Sequence, residues 1–317
     1  MPSVSWAFAQ LAPRHLPRPI FGLAFYREGP RIVFIDLMND RNQSGSHDDP
    51  YRVGTQLFAA AHAVAGQMNL SPFVSRIRTH QATPDEYIEY ISFMYPVVVT
   101  FNRALVNSLA KLDNVNQSRI LGRLLQQLFE EQRHNEMYRT MLKAHGIDHS
   151  LLYRLFREYQ DNIDQEMFRG MRKSMLLEPA SCSISAFDTS MPFPPVVHVL
   201  CDLLLDSACN PLISFWEHYA SQSAIEAIIL EVTSDSIYPG VVLSTKMNLG
   251  PYTIAWWKEH ARQGTEQGRS DEEKHLRVAR ITLDKYVQSK SLVTNVLDRA
   301  NQVMRLFRAT VDCVTDK

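Results

Sequence analysis

The sequence predicts an all-α fold, and three observations carry that prediction. From residue 51 onward, apolar residues recur at i, i+3, i+4 and i+7, the period of one helix face. Two capping boxes, Thr83-Pro84-Asp85-Glu86 and Ser270-Asp271-Glu272-Glu273, mark helix starts, and the first has proline at the first helical position. Strand patterns are absent after residue 50, and no internal repeat is visible.

Residues 1–50 read differently. Pro13, Pro17, Pro19 and Pro30 break any helix, Arg31-Ile32-Val33-Phe34-Ile35 has the look of a short strand, and Asn39 to Pro50 is polar and turn-rich. This segment is expected to be an N-terminal extension packed on a helical domain of residues 51–317, with a partly ordered arm as the alternative. In the domain, the stripe Tyr87, Ile91, Met94, Tyr95, Val98, Phe101, Leu105, Leu109 predicts a helix over 84–112, kinked at Pro96. A second long helix is expected over 116–144, ending at Gly146, and a third over 149–177. The Ser- and Pro-rich stretch from Glu178 to Pro195 reads as a loop. Helices then resume near 196–207, 210–220, 222–234, 236–247, 251–260, 270–289 and 291–312.

A length of 317 residues admits one large domain or two small ones, and 45% hydrophobic with 21% charged residues suits a soluble protein with a sizeable core. The net charge of −1 argues for neither a nucleic-acid face nor a polyanionic tail. Cys182, Cys201, Cys209 and Cys313 form no CxxC pair and read as reduced thiols. Met1 to Arg18 lacks a continuous apolar core of the signal-peptide kind, and no apolar run approaches the roughly 18 residues of a membrane span. A cytoplasmic protein with no membrane or nucleic-acid partner is expected.

Two Glu-x-x-His tetrapeptides, Glu131-Gln132-Arg133-His134 and Glu272-Glu273-Lys274-His275, stand about 140 residues apart. Positions three apart on a helix lie about 60° from each other, so a carboxylate and an imidazole can reach one point. Doubled, they give the carboxylates and imidazoles of a non-haem iron or manganese pair. Ahead of Glu131 the apolar stripe is Leu121, Leu124, Leu125 and Leu128; after His134 it is Met137, Tyr138, Met141 and Leu142, rotated by roughly 120°. Glu131 and His134 point into the gap, which predicts that both face inward, with a surface ion pair to Arg133 or Arg139 as the alternative. Glu130 falls on the more polar side.

Glu226 and Glu231 lie in a helix that is apolar on every face, so one or both sit inside or at a rim. Asp271, Glu272 and Glu273 suit any first turn through the helix dipole, whereas His275 precedes the apolar Leu276, Val278 and Ile281. His260 follows Trp256 and Trp257, a place for a packed residue as much as a ligand. His198 and His218 lack a carboxylate at ligand spacing and read as core or interface residues.

Over roughly residues 55–290 the chain resembles the heme-oxygenase-like diiron oxidases, whose helical fold is shared by heme oxygenase and by the thiaminase-type and pyrroloquinoline-quinone-synthase-type proteins. Glu130-Glu131-Gln132-Arg133-His134-Asn135-Glu136-Met137-Tyr138, with Leu142 and Gly146-Ile147-Asp148, is similar to the family's iron-binding helix. Glu231 ahead of Ile237-Tyr238-Pro239 is similar to its mid-chain ligand, and His260, Glu272 and His275 stand for its late His-x-x-x-Asp-x-x-His. Here Glu replaces Asp, and His260 precedes Glu272 by twelve positions instead of four. In one unbroken helix that is about 18 Å along the axis. The match therefore requires a loop or bulge over 261–269, which Gly264, Gly268 and the Ser270 cap allow. Asp271 for Glu272, and Glu130 for Glu131, remain open as ligands.

The resemblance implies a heme-oxygenase-like multi-helix bundle with two Fe(II) per chain, manganese being the alternative, held by Glu131, His134, Glu231, His260, Glu272 and His275. It implies an oxidase or oxygenase acting with O2 on a small metabolite (an amino acid, amine or fatty acid) by N-oxygenation, desaturation or C–C cleavage, often in specialised-metabolite biosynthesis. An external electron donor and a homodimer are further candidate partners. The helix 84–112 would wall the pocket with Tyr87, Met94, Tyr95, Phe101 and Arg103. The rival readings are a metal-free thiaminase-like hydrolase or small-molecule binding protein of the same fold, and a ferritin-like four-helix bundle. The second rival is disfavoured by the short segments after residue 196.

Overall fold

The computed structural model describes residues 52–79, 81–112, 118–177, 193–234, 255–260 and 271–314, and every regular element among them is helical. In chain order these are α1 (Val53–Met68), α2 (Pro72–Arg78), α3 (Pro84–Ser108) with a 3-10 turn Leu109–Lys111, α4 (Ser118–Ala144), α5 (His149–Asn162) and α6 (Gln165–Leu177). They continue with α7 (Pro195–Cys209), α8 (Phe215–Ser234), α9 (Ala255–His260), α10 (Asp271–Tyr286) and α11 (Lys290–Asp312). The expected extension 1–50, its strand at Arg31 to Ile35 and the expected helix 236–247 lie outside the described residues. All of these helices belong to the unit Asp49–Lys317.

α8 is the axis of the bundle. Every residue from Glu217 to Ile228 is buried, so this stretch of the helix has no solvent face. It packs against α1, α3, α7, α9, α10 and α11, while α3 lies between α7 and α4. Residue 221, where the helices expected at 210–220 and 222–234 would meet, runs inside one helix. Ser221 Oγ donates back to the Glu217 carbonyl at 2.7 Å, and Gln222 Nε2 reaches the Phe101 carbonyl at 2.8 Å. The polar side chains are spent on backbone oxygens and need no loop.

The reverse correction applies to 149–177. Ile163 turns extended, and Asp164 accepts a bond from the Met167 N–H at 2.7 Å, starting a new helix. Elsewhere local chemistry sets the limits directly. Both halves of the Thr83–Glu86 capping box form at the start of α3, and the helix continues through Pro96. Gly146, at φ 76°, ends α4, with the Ile147 N–H bonded to the Leu142 carbonyl at 2.9 Å.

α1 lacks a side-chain cap of its own. Asp284 of α10 supplies one: its carboxylate accepts the Gly54 N–H at 2.7 Å and the Thr55 hydroxyl at 3.2 Å. At this crossing a side chain on Gly54 would collide with the Arg280 backbone, so glycine is required by the close approach of the helices. The contact seats α10 against α1 and α8.

Candidate metal centre

Three helices, α4, α8 and α10, converge on one buried polar cluster. Glu131 and His134 of α4 are 7% and 1% exposed, with Glu131 Oε2 3.6 Å from His134 Nδ1. The backbone beneath Glu131 is held from α3 by Asn102, whose amide donates to the Glu131 carbonyl at 3.1 Å. From α8 comes Glu226, 5% exposed, and from α10 His275. Ligand atoms of Glu131, Glu226 and His275 all lie within 4.8 Å of one another.

His260 approaches from α9. Its ring centroid is 4.5 Å from that of His134, and it stacks on Trp256 at 3.9 Å. Its Nδ1 lies 2.8 Å from the Trp256 carbonyl, and Thr233 of α8 donates to the His260 carbonyl at 2.8 Å. These bonds fix the end of α9 on α8 and leave His260 next to His134 on a helix separate from α10.

Of the residues singled out in the sequence, Glu131, His134, His260 and His275 are thus brought into one neighbourhood. Glu231 is not. It sits near the C-terminal end of α8 and pairs with His62 of α1, 3.5 Å away at the surface. Glu226 takes the place in the cluster that the motif match gave to Glu231. The two are five positions apart, about 140° around the helix, so one facing inward places the other toward the rim. Glu272 lies on the backbone of α10, and its side chain is outside the described residues, as are the side chain of Asp271 and all of 261–270.

Two further α4 side chains join the cluster. Gln127 Nε2 donates to Glu226 Oε1 at 2.6 Å, and Glu130 Oε2 lies 2.5 Å from His275 Nε2. The sequence signal for both is their spacing: Gln127, Glu130, Glu131 and His134 follow i, i+3, i+4, i+7. Glu130, placed by phase on the more polar side, is half-buried against α10 instead.

Beyond Trp256 lies an apolar cavity of about 40 Å³, walled among others by Tyr90, Met94, Tyr138, Ile228, Trp256 and Trp257. Tyr87, Tyr95 and Phe101 of α3 are core residues, and Arg103 is exposed, which removes it from the expected pocket wall. Tyr87 accepts the Trp257 Nε1–H at 2.8 Å, and burial pushes its phenol well above the ordinary range. Burial also pushes the Cys201 thiol up to about 12, so it is an inert core residue. Cys209 is exposed and Cys313 buried, and Cys182 is outside the described residues.

The backbone arrangement matches that of a crystallised TenA homolog from Pseudomonas syringae pv. tomato. The TM-score is 0.54 at 15% sequence identity, over 81% of this chain and 91% of that one. The fold is a TenA-type, heme-oxygenase-like helical bundle. This likeness concerns the path of the chain and leaves the chemistry to the side chains. No protein-family model matches the sequence, and no curated protein matches it. Among the described residues, no helix is long and apolar enough to cross a membrane.

Proposed function

We propose that the chain is a non-haem diiron enzyme that uses O2 to oxidise a small metabolite. One observation carries the reading: Glu131, Glu226 and His275, from three helices, bring their ligand atoms within 4.8 Å of one another in the interior. Two carboxylates gathered in a weakly solvated place repel each other and are costly to bury, and a cation between them removes both penalties. The donor set fits the metal. Carboxylate oxygen and imidazole nitrogen suit iron or manganese, and no thiolate stands among the cluster residues.

Glu131, Glu226 and His275 would hold one cation, and His134 and His260 would contribute to the second. Iron bound there supplies one-electron redox chemistry toward O2. The protein's own residues provide the setting. Trp256 covers the outer face of the His260 ring and excludes water from that side, and α3 locks α4 through Asn102. The substrate class is an amine, amino acid or fatty acid, and the reaction an N-oxygenation, desaturation or C–C cleavage. An external electron donor completes the partner set.

The test is metal analysis of the full chain produced with added iron, followed by O2 uptake of the Fe(II) form. Up to two irons per chain and O2 consumption are expected. The rival is a metal-free hydrolase or small-molecule binding protein of the same fold. It is favoured by the Gln127–Glu226 and Glu130–His275 bonds, which pair these groups without a cation. A protein that takes up no iron, yet hydrolyses or binds a small heterocycle, would establish it.

A further inference from the structure

The stripe Gln127, Glu130, Glu131, His134 contains more polar groups than a metal needs from one helix. Its members divide by what they touch. Glu131 belongs to the group whose ligand atoms converge, and His134 lies against Glu131 and His260. Gln127 and Glu130 instead each hold a convergent residue that comes from a different helix: Gln127 holds Glu226 of α8, and Glu130 holds His275 of α10.

We propose that Gln127 and Glu130 are positioning residues of this centre, setting which atoms of Glu226 and His275 face the metal. The proposal rests on the metal reading above. A ring nitrogen that donates its hydrogen to a carboxylate cannot ligate a cation at the same time. Glu130 therefore keeps the hydrogen of His275 on Nε2 and assigns metal binding to Nδ1. The same contact raises the electron density of the ring and so strengthens it as a ligand. The Gln127 amide occupies Glu226 Oε1 and leaves Oε2 as the better donor, which favours one-oxygen over two-oxygen coordination by Glu226.

Geometry supports the assignment beyond the two distances. Gln127 is only 8% exposed, so its hydrogen bond is made in a place where water competes poorly. Both contacts are long-range, 99 and 145 positions apart in sequence, and both tie α4 to the helix whose residue they orient. An aliphatic residue in place of Gln127 or of Glu130 would keep the helix and lose the orientation.

The experiment uses the full chain and Co(II), whose ligand-field spectrum reports donor number and geometry, with affinity measured by chelator competition. Glu130→Ala and Gln127→Leu are expected to weaken Co(II) binding roughly ten- to a hundredfold and to shift the visible bands, with the number of ions per chain unchanged. Glu130→Gln keeps an acceptor oxygen at the same reach and should recover most of the affinity. It also serves where the alanine variant does not fold. Wild-type affinity and spectrum in Glu130→Gln, Glu130→Ala and Gln127→Leu alike would overturn the proposal. So would loss of a whole ion in Glu130→Gln, because that makes Glu130 a ligand. Glu131→Ala is the control: if it too binds Co(II) like the wild type, the metal reading itself has failed.

Discussion

Buried histidines occur in this protein in two kinds of surroundings. His198 lies parallel to Phe156, with ring centroids 4.6 Å apart, and beside Tyr159 at the same separation. His218 lies within α8, near Lys111. Burial holds both rings neutral, pushing His198 down to about 4 and His218 to about 3, the latter with help from the Lys111 charge. His134 is equally enclosed but sits beside Glu131, with His260 against its ring, and His275 faces Glu130. His134 is as deep as His198 and His218, and the neighbouring carboxylate is what differs. Burial away from carboxylates keeps an imidazole uncharged, whereas carboxylates create a demand for positive charge that a metal can meet. Burial of a histidine therefore does not mark a ligand, and the company it keeps does.

The comparison breaks most readily at the carboxylate side. Glu131→Ala or His134→Ala should lower iron content about tenfold or more with helical circular dichroism retained, while His198→Phe leaves iron content unchanged. Equal iron in all three proteins would remove the distinction between the two regions. A sharper and somewhat smaller contrast lies within α8. Glu226→Ala should weaken metal binding roughly tenfold, and Glu231→Ala, which removes the surface pair with His62, should not. The opposite order would return Glu231 to the centre.

The smallest effect belongs to His198 and His218 and concerns pH. His198 and His218 have lower pKa values folded than the roughly 6.5 of an unfolded histidine, so acid protonates the unfolded chain first and favours it. Their stabilising contribution is complete above about pH 6.5. It falls as pH drops from there toward about 4 for His198 and about 3 for His218, by at most about 1.4 kcal/mol per pH unit for each. Denaturant midpoints at pH 7 and pH 5 measure the slope, and His198→Phe should flatten it. A midpoint that rises on acidification would contradict the neutral assignment of these two rings.

How far the sequence reaches follows the same division between local and distant causes. The capping box at Thr83, the stop at Gly146 and the inward phase of the α4 stripe are set by residues within one or two turns, and the structure shows each. The break at Ile163–Asp164 was also locally written, in the Asp164 cap, but helical periodicity on both sides concealed it. The division expected at residue 221 erred in the other direction, because the Phe101 carbonyl that satisfies Gln222 comes from α3, 121 positions away. Glu226 was harder still. A helix apolar on every face carries no phase, and the choice between Glu226 and Glu231 is made by α4, through Gln127, and by α1, through His62. Motif spacing cannot supply that information. The pairing of Glu130 with His275 is likewise a product of packing, between residues 145 positions apart.

The cap that Asp284 lends to α1 spans 230 positions of sequence. During synthesis the first turn of α1 emerges long before Asp284 exists, and its N–H groups remain bonded to water until α10 arrives. Of the three helices that converge on the cluster, α10 is the last to be made, and its fastening is to the first helix described. Closing so long a loop carries a larger entropic cost than any contact between neighbouring helices, and such contacts form late. Completion of the centre thus depends on the docking of a distant helix, and contacts local to α4 or α8 cannot assemble it alone.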